Sequence, residues 1–265
     1  MHTKRTFIIE GTYKVSDYEP QEYSYQLNFH STHEQESQSI MLYKCLSQPW
    51  RLLGNAKRLG VKSTTRFFLL LFLFGIVNVF FIIETSLEAW SGSSLKSTEL
   101  ILAFLSILFG VCMVGLVLYW SYRNLLKEVY HLLYALNPQF FRSLSDCMVE
   151  HASHILQTHS NIDSADWLES MDLSENLKSR SAELPNYLRQ VAVYIASKVL
   201  VMDAVSMLPS DLKSMEIQLV KTSFYQRTHD AITEDVFGKD HFNWVIVLLP
   251  VNLIIQMLVL YFISL

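Results

Sequence analysis

FFLLLFLFGIVNVFFII (Phe67–Ile83), LILAFLSILFGVCMVGLVLYWSY (Leu100–Tyr122) and FNWVIVLLPVNLIIQMLVLYFISL (Phe242–Leu265) hold no Asp, Glu, Lys or Arg. A helix needs on the order of 20 apolar residues to cross a hydrocarbon core of ~30 Å, where each unpaired backbone amide costs several kcal/mol. The second and third runs meet that length. The first is lengthened by uncharged Ser63, Thr64 and Thr65 and is dense in Phe and Leu. These runs predict an all-α membrane protein: three transmembrane helices, a cytoplasmic helical bundle and a small N-terminal β-hairpin.

Charge orients the spans. No acidic residue lies between Glu36 and Glu84, yet Lys44, Arg51, Lys57, Arg58, Lys62 and Arg66 all do. Positive charge beside a span resists translocation, so this flank is expected on the cytoplasmic face. The basic flank Arg51, Lys57, Arg58, Lys62 and Arg66 also suits anionic lipid, with Leu52, Leu53, Ala56 and Leu59 forming an apolar stripe. The loop Glu84–Glu99 holds three Glu and one Lys, the pattern of a translocated side. Arg123 and Lys127 return the chain to the cytoplasm, and the third run carries it across again. Trp120 and Tyr122 close the second run and Trp244 opens the third, where an amphipathic ring is stable at the headgroups. The expected location is a plasma or bacterial inner membrane, with the N-terminus cytoplasmic and the C-terminus outside.

Five regions follow: a hairpin over 1–30, a linker with basic juxtamembrane segment over 31–66, a transmembrane hairpin over 67–122, a cytoplasmic helical domain over 123–241, and a last span over 242–265. Thr6–Val15 and Glu22–Phe29 alternate apolar with polar residues around Ser16–Pro20, a hairpin pattern. An isolated hairpin is marginal in water, so it should pair with another copy or pack on the helical domain. His30–Ser39 reads as a polar linker. Leu125 to Leu136 continue helically from the second span to Asn137–Pro138, which stops them. Further helices are expected over Gln139–Gln157, Pro185–Met207 and from Ser210 through Phe224, with an acidic crossover at Asp163–Glu183. The three cysteines, Cys45, Cys112 and Cys147, read as free thiols, and the polar first 60 residues hold no signal peptide.

The sequence offers little chemistry. His151, His154 and His159 with Glu150 are the densest set of potential metal ligands, but helical spacing brings at most two to one metal without help from another helix. His33–Glu34 opens a zinc-protease-like string in which Ser37 stands where the second His is needed. Ser210 and Lys213 fit Ser-x-x-Lys, which a helix-start serine and a solvated lysine explain as well. No catalytic, cofactor or metal residue is therefore assigned, and no nucleic-acid signal is found.

Polar groups inside the spans carry more information. Asn252 and Gln256 lie one turn apart on one face, just past Pro250; Asn78 stands in the first run, and Ser106 and Gly110 are one turn apart in the second. In lipid such groups seek protein partners. These five residues are expected to make intramembrane helix contacts, within the chain or between subunits. The functional expectation is a non-enzymatic, oligomeric scaffold or sensor subunit that meets lipids, its own copies and a cytoplasmic protein partner. The alternative is a channel or pore-forming effector gated by the cytoplasmic domain.

Overall fold

The computed structural model describes residues 4–14, 22–48, 61, 63–91, 97–158, 184–199, 206–238 and 243–264. The chain is mostly helical, with one two-stranded antiparallel sheet. In order it forms β1 (Lys4–Lys14), β2 (Glu22–Thr32), α1 (His33–Ser47), α2 (Ser63–Ser91), α3 (Ser97–Leu136), α4 (Pro138–Thr158), α5 (Asn186–Val199), α6 (Leu208–Ser214), α7 (Ile217–Ala231), a π-helix (Ile232–Gly238) and α8 (Asn243–Ser264). Two compact units result, one of residues 1–47 and 129–239, the other of 48–128 and 240–265.

The first unit is built on α4. Phe141, Leu144 and Met148 recur at helical spacing and are buried, as are Phe140 and Val149 beside them. The hairpin packs β2 onto this helix: Leu27 and Phe29 are buried, and Phe29 meets the edge of the Phe140 ring at 5.1 Å. Helices α6 and α7 also lie against α4, while α1 touches β2 and α5. Asn137 ends α3, since its side-chain amide donates to the Leu133 carbonyl at 2.8 Å and to Ser39 Oγ at 3.1 Å. Pro138 then starts α4, where its fixed φ suits the first turn and its missing N–H is not needed.

Several elements differ from the sequence expectation. The stretch read as a linker, His30–Ser39, completes β2 and opens α1. Its signal is a capping box: Gln35 N–H donates to Thr32 Oγ1 at 3.3 Å, and Thr32 N–H donates to Gln35 Oε1 at 3.0 Å. The helix expected from Ser210 through Phe224 is two helices, because Met215 is extended (φ −131°, ψ 158°) and Glu216 begins α7 afresh. The connection expected over Glu84–Glu99 is shorter, as α2 runs to Ser91 and α3 starts at Ser97. The second apolar run and the following amphipathic stretch form one helix of 40 residues. At Gly238, the last residue of the π-helix, a Cβ would stand 3.0 Å from the Thr233 carbonyl oxygen, so a larger residue would need the turn to shift. The crossover Asp163–Glu183 and residues 200–205 of the expected third helix lie outside the described residues.

Thr65–Leu87 within α2 and Leu100–Leu136 within α3, of which residues 100–128 belong to the second unit, are long and apolar enough to cross a membrane, and Val247–Ile263 of α8 is a shorter apolar stretch. Leu70, Phe74, Met113 and Val117 form the buried centre, flanked by Phe109, Val114, Trp120, Leu248 and Leu249. The opposite faces display large hydrophobic side chains to the surroundings, with Phe72 and Phe104 each 64% exposed.

Candidate functional site

Polar side chains from three apolar helices meet in the second unit. On α2, Asn78 donates through Nδ2 to the Phe74 carbonyl one turn earlier at 2.8 Å, which fixes the amide and turns its Oδ1 away. On α8, Gln256 Nε2 donates to that Oδ1 at 3.3 Å and to the Ser106 carbonyl of α3, also at 3.3 Å. Ser106 Oγ donates to Gln256 Oε1 at 2.5 Å. Both ends of the Gln256 amide are thus used, and the residue is 1% exposed. Gly110, one turn past Ser106, makes room for the group. A Cβ there would stand 2.8 Å from Asn78 Oδ1 and 3.2 Å from Gln256 Nε2.

Four of the five intramembrane residues named from the sequence, Asn78, Ser106, Gly110 and Gln256, therefore come together within one chain. Asn252 does not join them. It is 0% exposed, and neither its Oδ1 nor its Nδ2 has a hydrogen-bond partner among the described residues. The arrangement is neutral and tightly enclosed, and it can hold three helices in one rotational setting. At the end of the second apolar run the Arg123 guanidinium lies over the Trp120 ring, 5.3 Å from its centroid, and Tyr122 is exposed. Arg66 is exposed at the start of α2. Arg51, Lys57, Arg58 and Lys62, and the Trp244 side chain, lie outside the described residues.

The first unit holds the remaining candidates. His151 is buried on α4, His154 is exposed one turn later, and His159 lies outside the described residues. Among the described residues no group of three His, Cys, Asp or Glu is placed to hold a metal ion. Ser210 does not cap α6 as expected: the N-cap is Met207 with no side-chain cap bond, and Ser210 Oγ, inside the helix, donates to the Met207 carbonyl at 2.7 Å. His33 and Glu34 lie in the first turn of α1. Lys221 Nζ pairs with Glu150 at 2.5 Å, and Arg227 pairs with Asp211, joining α7 to α4 and α6. Burial pushes the Cys147 thiol up to about 12, reinforced by Glu150 and opposed by Lys221. The same cause raises the Tyr187 hydroxyl to about 12, with Glu36 adding and Arg5 opposing. These groups stay protonated at neutral pH and are not poised for nucleophilic attack.

Two contacts were not anticipated from the sequence. The Tyr134 hydroxyl and His229 Nδ1 are 2.7 Å apart, and Ser39 meets Asn137 across 98 positions of chain. Neither has a local signal, since each depends on how distant helices pack. Comparison with known proteins adds no relative: no family model matches the chain, and neither a curated protein nor a solved structure is similar to it.

Proposed function

We propose that the chain is an integral membrane protein in which α2, the first part of α3, and α8 each cross the bilayer, and that it acts as a non-enzymatic scaffold or sensor subunit. Residues 1–66 and 123–241 occupy the cytoplasmic side in this reading, with residues 84–99 and Leu265 on the other. The observation that carries it is the inversion of polarity in the second unit: amides and a hydroxyl sit at the centre of the helices, and Phe and Leu face outward. Water would favour the reverse; lipid requires it, because polar groups there must find partners within protein. The enclosed amides suit helix contacts better than a wet path, which needs polar groups open to water and here also lacks a ring of charge. The helical unit then supplies the surface for a cytoplasmic partner.

Impermeant thiol labelling of intact cells tests the topology. In a cysteine-free background, Ser93→Cys is expected to label and Ser179→Cys to stay protected until the membrane is opened. The opposite pattern would overturn the orientation, and labelling of both or neither would overturn the three-span reading.

A further inference from the structure

The two long edges of the hairpin are unlike. Phe7 stands opposite Phe29 and Arg5 opposite Ser31. The amides of Asn28, His30 and Thr32 donate away from β1: to Ser143 Oγ at 3.1 Å, Gln139 Oε1 at 3.2 Å and Gln35 Oε1 at 3.0 Å. Over Asn28–Thr32 the outer edge of β2 is therefore closed by side chains of α4 and α1. Antiparallel pairing alternates inward and outward backbone groups, so opposite the outward-facing even residues of β2 stand the outward-facing even residues of β1. Thr6 and Ile8 offer their outward N–H and C=O without a partner among the described residues, and Ile8 is 55% exposed. Exposed, unpaired edges of this kind recruit further strands.

We propose that this open edge binds the same edge of a second copy, antiparallel about a twofold axis through Phe7. Outward-facing residues must oppose outward-facing residues, which leaves registers that differ by steps of two in the pairing sum. The register centred on Phe7 sets Lys4 of each copy opposite Glu10 of the other, and Thr6 opposite Ile8. Centred on Ile8 it opposes no charges, centred on Ile9 it opposes Lys4 with Lys14, and centred on Thr12 it opposes Glu10 with Lys14 but overlaps only residues 10–14 and leaves Thr6 and Ile8 unpaired. Opposite charges thus match twice by symmetry, a complementarity that an unrelated strand would not share. The part of β2 opposite Lys4–Ile8 is already closed over Asn28–Thr32, so the shared sheet ends there at four strands and the pairing gives a closed dimer and not a fibre. It uses the hairpin alone and stands whether or not the chain crosses a membrane.

The test is oxidative cross-linking of the full chain carrying Thr6→Cys and Ile8→Cys together, with copper phenanthroline and with the parental chain as control. A dimer linked between position 6 of one copy and position 8 of the other is expected, absent from the parent. Lys4→Glu or Glu10→Lys alone should lower its yield at least tenfold, and the two together should restore it. Within a chain the register sets positions 4 and 10 opposite uncharged Thr32 and Gln26, so charge reversal places no like charge directly across the hairpin. No dimer, a dimer indifferent to the single reversals, failure of the double reversal to restore it, or linkage to a different protein would each overturn the proposal.

Discussion

Two amides one turn apart on α8 should respond in opposite directions to the same substitution. Gln256→Leu removes three hydrogen bonds, two donated by Nε2 and one accepted by Oε1. In membrane proteins such bonds are worth about 0.6 kcal/mol on average and up to ~1.7 kcal/mol. The Ser106 hydroxyl can turn back to a carbonyl of its own helix and recover part of the loss. Asn78 Oδ1 cannot, because its amide is already tied to Phe74. The expected net cost is about 1–3 kcal/mol. Asn252→Leu removes a fully buried amide with no partner among the described residues, and leucine has the same number and branching of side-chain heavy atoms. Lifting the cost of an unsatisfied amide is expected to stabilise the chain by about 1–2 kcal/mol. The assay is helicity followed against SDS mole fraction for the full chain in mixed micelles. If Asn252→Leu destabilises as much as Gln256→Leu, the assignment of partnered and unpartnered amides is refuted.

Gly110→Ala is expected to cost about 1–3 kcal/mol in the same assay, since the new methyl meets two polar atoms held by hydrogen bonds. Gly115→Ala, with nothing within 4 Å of its Cβ position, should be neutral or stabilise by up to about 1 kcal/mol through helix propensity. Cys147 predicts a pH dependence. Its thiol is raised from an ordinary 9.0 to about 12, so the folded chain holds the proton more tightly, and that stabilisation is complete below pH 9 and lost as pH rises toward 12. Denaturation midpoints measured from about pH 8 to 11 should fall less steeply in Cys147→Ala than in the parent, and an equal slope would refute the attribution.

What the sequence revealed follows the physics of each element. Apolar runs free of charge were plain, as was the stop at Asn137–Pro138, because both are local. The polar residues inside the runs could be named for the same reason: in an apolar stretch an amide or a small residue stands out. Which of Asn252 and Gln256 finds a partner was not legible, because it depends on how α8 is rotated against α2 and α3. The start of helix α1 is legible, although the linker expectation over His30–Ser39 passes over it while Ile40–Leu46 reads as amphipathic. Its opening turn, rich in Glu, Gln and Ser, looks like a linker by polarity, yet Thr32-x-x-Gln35 is a helix-start pattern and Glu and Gln are good helix formers. The break at Met215–Glu216 had no Gly or Pro to announce it.

The contact between Gln256 and Asn78 also sets a timetable. Its partners are 178 positions apart, and Ser106 is 150 positions from Gln256. At a synthesis rate of roughly 5–20 residues per second, α2 and α3 wait on the order of 10–30 s for α8 to arrive. Throughout that interval Asn78 Oδ1 and the Ser106 hydroxyl lack the amide that later joins them. A newly made α2–α3 pair is therefore a half-finished surface, whose polar side stays without its partner amide until α8 is made.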